Sequence, residues 1–172
     1  MNSKTSLNYD FDLFFDVNIF KIHTATAGGY IPSRIFENPT HSIFREKLKS
    51  VSNKLFFDYK LNPNLEEILT LKFEAQGITS NNFDRDAYLF DFIEYARRGV
   101  FSFDRTFISE PFNRKYHLVA YPFINENYNQ FIQENFKFNF TLNEPFELSN
   151  WVNDIVNYRL NKPVNFPFFY YK

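Results

Sequence analysis

The sequence predicts an α+β fold, with a mainly antiparallel sheet packed against two or three amphipathic helices around an aromatic-rich core. Three observations carry this reading. Period-two alternation, broken at Phe14, runs through NYDFDLFFDVNIF near the start of the chain, and helical periodicity with matched end signals runs through DRDAYLFDFIEYARRG. Strands and helices then follow one another irregularly, which argues against a doubly wound parallel sheet. Finally, aromatic residues make up 22% of the 172 residues, with 25 Phe and 11 Tyr, so ring packing must dominate the interior. The length fits one domain over residues 1–172, without repeats or low-complexity linkers.

Residues 1–7 are small and polar and are expected to be disordered. In the next stretch Tyr9, Phe11, Leu13, Phe15, Val17 and Ile19 share one face. Asp10, Asp12, Asp16 and Asn18 share the other, interrupted by Phe14. Period two predicts a single strand with one wet face, continuing through KIHTAT to the paired glycines. NPTHSIFREKLKSV reads as a short helix capped by Thr40 or Ser42, with Ile43, Leu48 and Val51 on one side. KLFFDYKL reads as a strand. Residues 64–76 fit either class. Asn64 as cap, Glu66 and Glu67 in a first turn and Gly77 as terminator suit a helix, whereas ILTLKFEA also alternates. The reading adopted is a helical turn leading into a strand.

The helix over residues 85–98 has the clearest signals. Asp84 and Asp86 complement its N-terminus, Leu89, Phe92, Ile93 and Ala96 form its apolar stripe, and Glu94 and Arg98 stand at i,i+4. Arg97 and Arg98 face the negative end, and Gly99 follows as the C′ residue. VFSFDRTFIS and KYHLVAYPF read as an antiparallel hairpin, NENYNQFIQENF as a short helix and KFNFTL as a strand. Ser149 caps a helix through NWVNDIVNYRLN, and residues 163–172 form an extended aromatic tail.

The formal net charge of −1 gives no bulk case for nucleic acid or an anionic membrane. With no cysteine in the chain, disulfides, Cys-ligated zinc and thiol catalysis are excluded. The opening MNSKTSLNYDFD has no apolar core of a secretory signal, and no apolar run reaches membrane-spanning length, so the expected location is the cytoplasm. Phe, Tyr, Asn, Ile and Lys share AT-rich codons, so the composition has a genomic explanation beside any functional one.

Several stretches can be read as sites. HTATAGGYIPSR holds Gly28 and Gly29, two of only four glycines. Clustered amides there would suit a phosphate, but no phosphate-loop motif is present and Pro32 stands where a helix would begin; the plainer reading is a turn ending a strand. His23, His41 and His117 lack metal-ligand spacing and read as structural. Asp10, Asp12 and Asp16 would suit Mg²⁺, or simply the solvated face of a strand. Asp58-x-Lys60 resembles the tail of a nuclease pattern, at a spacing that chance alone supplies.

Basic residues bunch at Arg97, Arg98, Arg105, Arg114, Lys115 and His117, interleaved with Phe101, Phe103, Phe107 and Tyr116. This mixture suits an anionic or nucleotide ligand. In the tail, Phe166, Phe168, Phe169, Tyr170 and Tyr171 suit docking onto a protein partner or a second copy. The sequence therefore reads as a non-enzymatic protein-binding or assembly subunit of a larger cytoplasmic complex, with no cofactor and no metal. The alternative is a sensor for a nucleotide or phosphorylated ligand. A third reading is a metal-dependent nuclease through Asp16, Asp58 and Lys60.

Overall fold

The computed structural model describes residues 10, 12–17, 20–28, 57–78, 83–108, 116–124, 126–128, 130 and 141–142. In chain order the elements are β1 (Asp12–Val17), β2 (Phe20–Ala25), β3 (Tyr59–Leu61), α1 (Leu65–Glu74), α2 (Arg85–Arg97), β4 (Val100–Arg105), β5 (Tyr116–Pro122) and β6 (Thr141–Leu142). One sheet holds all six strands in the order β3-β5-β4-β2-β1-β6. The pairings β1–β2, β3–β5 and β4–β5 are antiparallel, while β2–β4 and β1–β6 are parallel. The architecture is α+β, as the sequence predicts.

The long first strand is in fact a hairpin. Val17 pairs with Phe20 and Asp12 with Ala25, so the chain reverses direction between these strands, and no glycine or proline in the sequence between them marks it. Part of its polar face is also covered. Asp12, Phe14 and His23 lie on the side that α2 covers, and Phe14 is only 2% exposed. Leu13, on the other side, is buried as well. Both faces of the sheet's centre are covered, which is why all six residues of β4 are buried.

On the helix side, Leu65 and Leu69 of α1 and Leu89, Phe92 and Ala96 of α2 pack with Val119 and Ala120 of β5. The opposite face carries a ring cluster. Phe101 stands edge-on to Phe20 at 5.5 Å and stacks on Tyr121 at 6.2 Å. Tyr128 closes the cluster and donates its hydroxyl to the Gly99 carbonyl at 2.8 Å. The interior is thus rich in rings on both sides of the sheet.

The local signals of α2 work as read. The Asp84 carboxylate accepts the Ala87 N–H at 3.0 Å, and Arg98 bonds both the Glu94 carbonyl and its carboxylate at 2.7 Å. Gly99 takes φ +84°, the left-handed geometry that ends the helix and drops the chain directly into β4. Tyr95 joins the buried stripe, whereas Ile93 is only half-buried.

Residues 64–76 require a correction: α1 is helical throughout Leu65–Glu74. Burial decides it, because Leu65, Ile68, Leu69 and Lys72 fall on one helical side and are all buried. Asn64 sits at the cap position without a side-chain cap bond. Its neighbour Asn62 organises the entry instead, accepting from the Asn64 N–H at 3.0 Å and donating to the Leu118 carbonyl at 2.9 Å. The strand expected over KLFFDYKL is confined to Tyr59–Leu61 within the described residues. The helices expected over residues 38–51 and 149–161, and the tail over 163–172, lie outside the described residues. No helix among the described residues is long and apolar enough to cross a membrane.

Phe92 is 7% exposed and packs between Tyr88 and His23. Phe92→Ala should cost about 3–5 kcal/mol through the cavity it leaves. Chemical denaturation measures this, and a loss below about 1 kcal/mol would mean that the α2 face contributes little to the core.

Candidate functional site

Two features stand out from the residues upward: a buried polar network between helices and sheet, and an open cleft beside α1. Alternation along β4 aims Ser102 and Asp104 at the helices, beside His23 of β2 and opposite His117 of β5. Ser102, Asp104, His23 and His117 are all at most 3% exposed. Groups so deeply buried must find partners, and these find one another.

The first half of the network joins β1, β2, β4 and α2. His23 Nε2 lies 3.0 Å from the Asp12 carboxylate, and its Nδ1 lies 3.3 Å from the Ser102 hydroxyl. The carboxylate can only accept, so Nε2 carries the proton of that bond, and Nδ1 and the Ser102 hydroxyl share the second bond. Tyr95 donates to the other Asp12 oxygen at 3.2 Å, and its ring stands 4.4 Å from His23. This is an Asp–His–Ser array, but Ser102 has no exposed surface and lies in the middle of the sheet. The array locks three strands beneath α2.

The second half joins α1, α2, β4 and β5. Lys72, 4% exposed, forms an ion pair with Asp104, 3% exposed. The Tyr88 hydroxyl donates to the same Asp104 oxygen at 2.7 Å. With its proton committed there, the Tyr88 oxygen accepts from His117 Nε2 at 3.3 Å, and His117 Nδ1 accepts from Thr106 at 3.1 Å. Each group has one role along the chain Thr106, His117, Tyr88, Asp104. Burial pushes the His117 pKa down to about 3, against the opposing pull of Asp104, so the ring is neutral. Burial, reinforced by the Asp104 charge, holds Tyr88 well above the usual phenol range.

The cleft lies beside α1, between it and the approach to α2, and has a volume of about 590 Å³. Leu69 and Phe73 of α1, with Ile78 and Phe83, supply its apolar lining, and Glu66, Thr70, Glu74 and Arg85 its polar part. Its floor connects to the network through rings. Phe73 lies 4.3 Å from Phe83, and Phe83 lies 5.3 Å from Tyr88. Arg85 bonds Glu66 at 2.6 Å across the cleft's edge. Ile78 is 43% exposed, and elsewhere Phe90, Ile108, Phe123 and Ile124 are also exposed.

The basic residues named from sequence do not form one surface. Arg97 is exposed and lies over the Tyr59 ring at 5.3 Å, while Arg98 is bound to Glu94. Arg105, 1% exposed, sits at the other end of β4, a six-residue strand roughly 17 Å long. His117 is inside the network; Arg114 and Lys115 lie outside the described residues. Ala27 and Gly28 form the turn after β2, both with positive φ, and the Ala27 N–H is taken by the Asp10 carboxylate at 2.8 Å. Gly29, Phe166, Phe168, Phe169, Tyr170 and Tyr171 lie outside the described residues. Asp12, expected on a solvated face, is instead engaged by His23 and Tyr95. Asp16 belongs to β1, whereas Lys60 lies on β3 and Asp58 just before it. Four inter-strand spacings separate the two strands, roughly 19 Å. Among the described residues no three His, Asp or Glu side chains gather as a metal site. Sequence reasoning missed Lys72, Tyr88, Asp104 and the cleft; the signal for Lys72 was its i,i+3 spacing from Leu69 on an otherwise apolar helix face.

Compared with known protein families, curated proteins and solved structures, the chain matches none.

Two outcomes test the network. Asp104→Ala leaves Lys72 buried without its partner and should cost about 3–5 kcal/mol, whereas the paired change Lys72→Met with Asp104→Leu should recover most of that loss. A denaturant double-mutant cycle reads the coupling, and additive losses would contradict it. The His117 pKa of about 3 lies below the unfolded value of 6.5. Above pH 6.5 neither state binds the proton and stability is unaffected. Below it the unfolded chain takes up a proton that the folded chain refuses. Stability should therefore fall as pH drops from 6.5 towards 3, with His117 adding up to about 1.4 kcal/mol per pH unit. The slope should flatten in His117→Gln; an unchanged slope would place the titration elsewhere.

Proposed function

We propose that the chain is a non-enzymatic protein-binding subunit of a larger assembly, and that it takes its partner in the cleft beside α1. The observation that carries this reading is the cleft itself. Its apolar wall is built from a helix pinned to the sheet, and Ile78 stands on it 43% exposed. An apolar concavity on a rigid element gives a partner's side chains a preformed seat at low ordering cost. The distribution of chemistry supports the same reading. Lys72, Asp104, Tyr88, His117, His23 and Ser102 are spent on one another inside, and apolar groups are presented outside.

The test is size exclusion with light scattering on the native chain in extracts of its source cells. The wild-type chain should elute in an assembly well above its monomer mass. Ile78→Asp should shift it to monomer mass with an unchanged melting temperature, because Ile78 bears little core contact. If both forms elute as monomers, or both remain in the assembly, the cleft is not the partner site.

A further inference from the structure

Charge at the rim narrows the class of partner, an inference that rests on the protein-binding reading above. Three charged residues line the cleft: Glu66, Glu74 and Arg85. Arg85 reaches Glu66 through both its Nε and one terminal nitrogen, so these two largely cancel. Glu74, in the last turn of α1, is exposed, and no ion pair engages it among the described residues. Its position is electrostatically awkward. A carboxylate at a helix C-terminus faces the negative end of the helix dipole, where a cation would be favoured. The Lys72 ammonium in the same turn points inward to Asp104 instead. The cleft therefore combines an apolar floor of Leu69, Phe73, Ile78 and Phe83 with one negative charge, Glu74, that no ion pair engages among the described residues.

We infer that the partner presents a short amphipathic segment, two or three apolar side chains flanked by a Lys or Arg, with the apolar groups seated on Phe73, Ile78 and Phe83 and the cation against Glu74. A volume of about 590 Å³ suits a few anchoring side chains. A cation at this position answers both the Glu74 carboxylate and the carbonyl end of α1, so the helix terminus and the side chain select the same charge. An acidic segment would meet both as repulsion.

The experiment is a random-peptide display selection on the purified full chain, run in parallel on Ile78→Asp and Glu74→Lys after each is shown to melt like wild type. Peptides enriched on wild type should share spaced apolar residues with a Lys or Arg beside them, and should be lost on Ile78→Asp. Glu74→Lys should weaken a selected basic peptide about fivefold, and raising salt should narrow that difference, as expected of an exposed charge contact. Enrichment that depends on Ile78 but shows no basic bias, or an acidic one, overturns the charge inference and leaves the protein-binding reading standing. Enrichment equal on wild type and Ile78→Asp overturns both.

Discussion

The buried ion pair between Lys72 and Asp104 is the constraint on which the arrangement of helices and sheet depends. Taking either charge out of water costs several kcal/mol, and their mutual attraction offsets this only if the geometry is good and the remaining acceptor sites are filled. Tyr88 fills one of them, and in doing so commits its own proton and fixes the role of His117. Four elements converge on this point: α1 through Lys72, α2 through Tyr88, β4 through Asp104 and β5 through His117. Apolar packing brings α1 towards the sheet, but such packing is non-directional. The ion pair sets where along the sheet the helix stops, and with it the orientation of the cleft beside it.

The legible parts of the fold were those whose information is local. The start and end of α2 are written in Asp84, Glu94, Arg98 and Gly99, within one helical turn of the features they control. The β4–β5 hairpin is equally close in sequence. The β1–β2 reversal was not legible, because no glycine or proline marks it and its only traces are a single Asn18 and the one-residue phase shift of the alternation at Ile19–Phe20. In α1, Thr70, Lys72 and Glu74 alternate with apolar neighbours, so period two competed with period 3.6 until burial chose between them. Of the candidate site, less was readable. Sequence reasoning sends Lys72 and Asp104 to the surface by default, and only their meeting across 32 residues reverses this. The cleft is assembled from α1, Ile78 and the approach to α2, three segments with no joint pattern.

The network also changes what the histidines mean. His23 and His117 both have hydrogen-bond partners on each ring nitrogen, so neither has a site left for another ligand. They act as rigid connectors between strands and helices. His23 is flanked by the rings of Phe14, Phe92 and Tyr95 within 5.8 Å, which leaves it little freedom to turn. Polar groups here specify register: a one-residue slip of β2 against β4 would separate His23 from Ser102 and strand both in an apolar layer.

The parallel pairing of β2 with β4 has a further consequence, for the order in which the chain comes together. His23 and Ser102 stand 79 positions apart in sequence, and β3, α1 and α2 all lie between them. Closing a loop of that length costs about 4 kcal/mol in chain entropy beyond the constant term, before a single bond of the ladder forms. The hairpins β1–β2 and β4–β5 face no such delay. The molecule thus consists of two early, locally encoded halves and a late central seam. During synthesis β2 waits with one edge unpaired until α2 and β4 have emerged. Over that interval the residue at risk is Ile22, fully buried in the finished sheet and without its β4 neighbour until the seam closes.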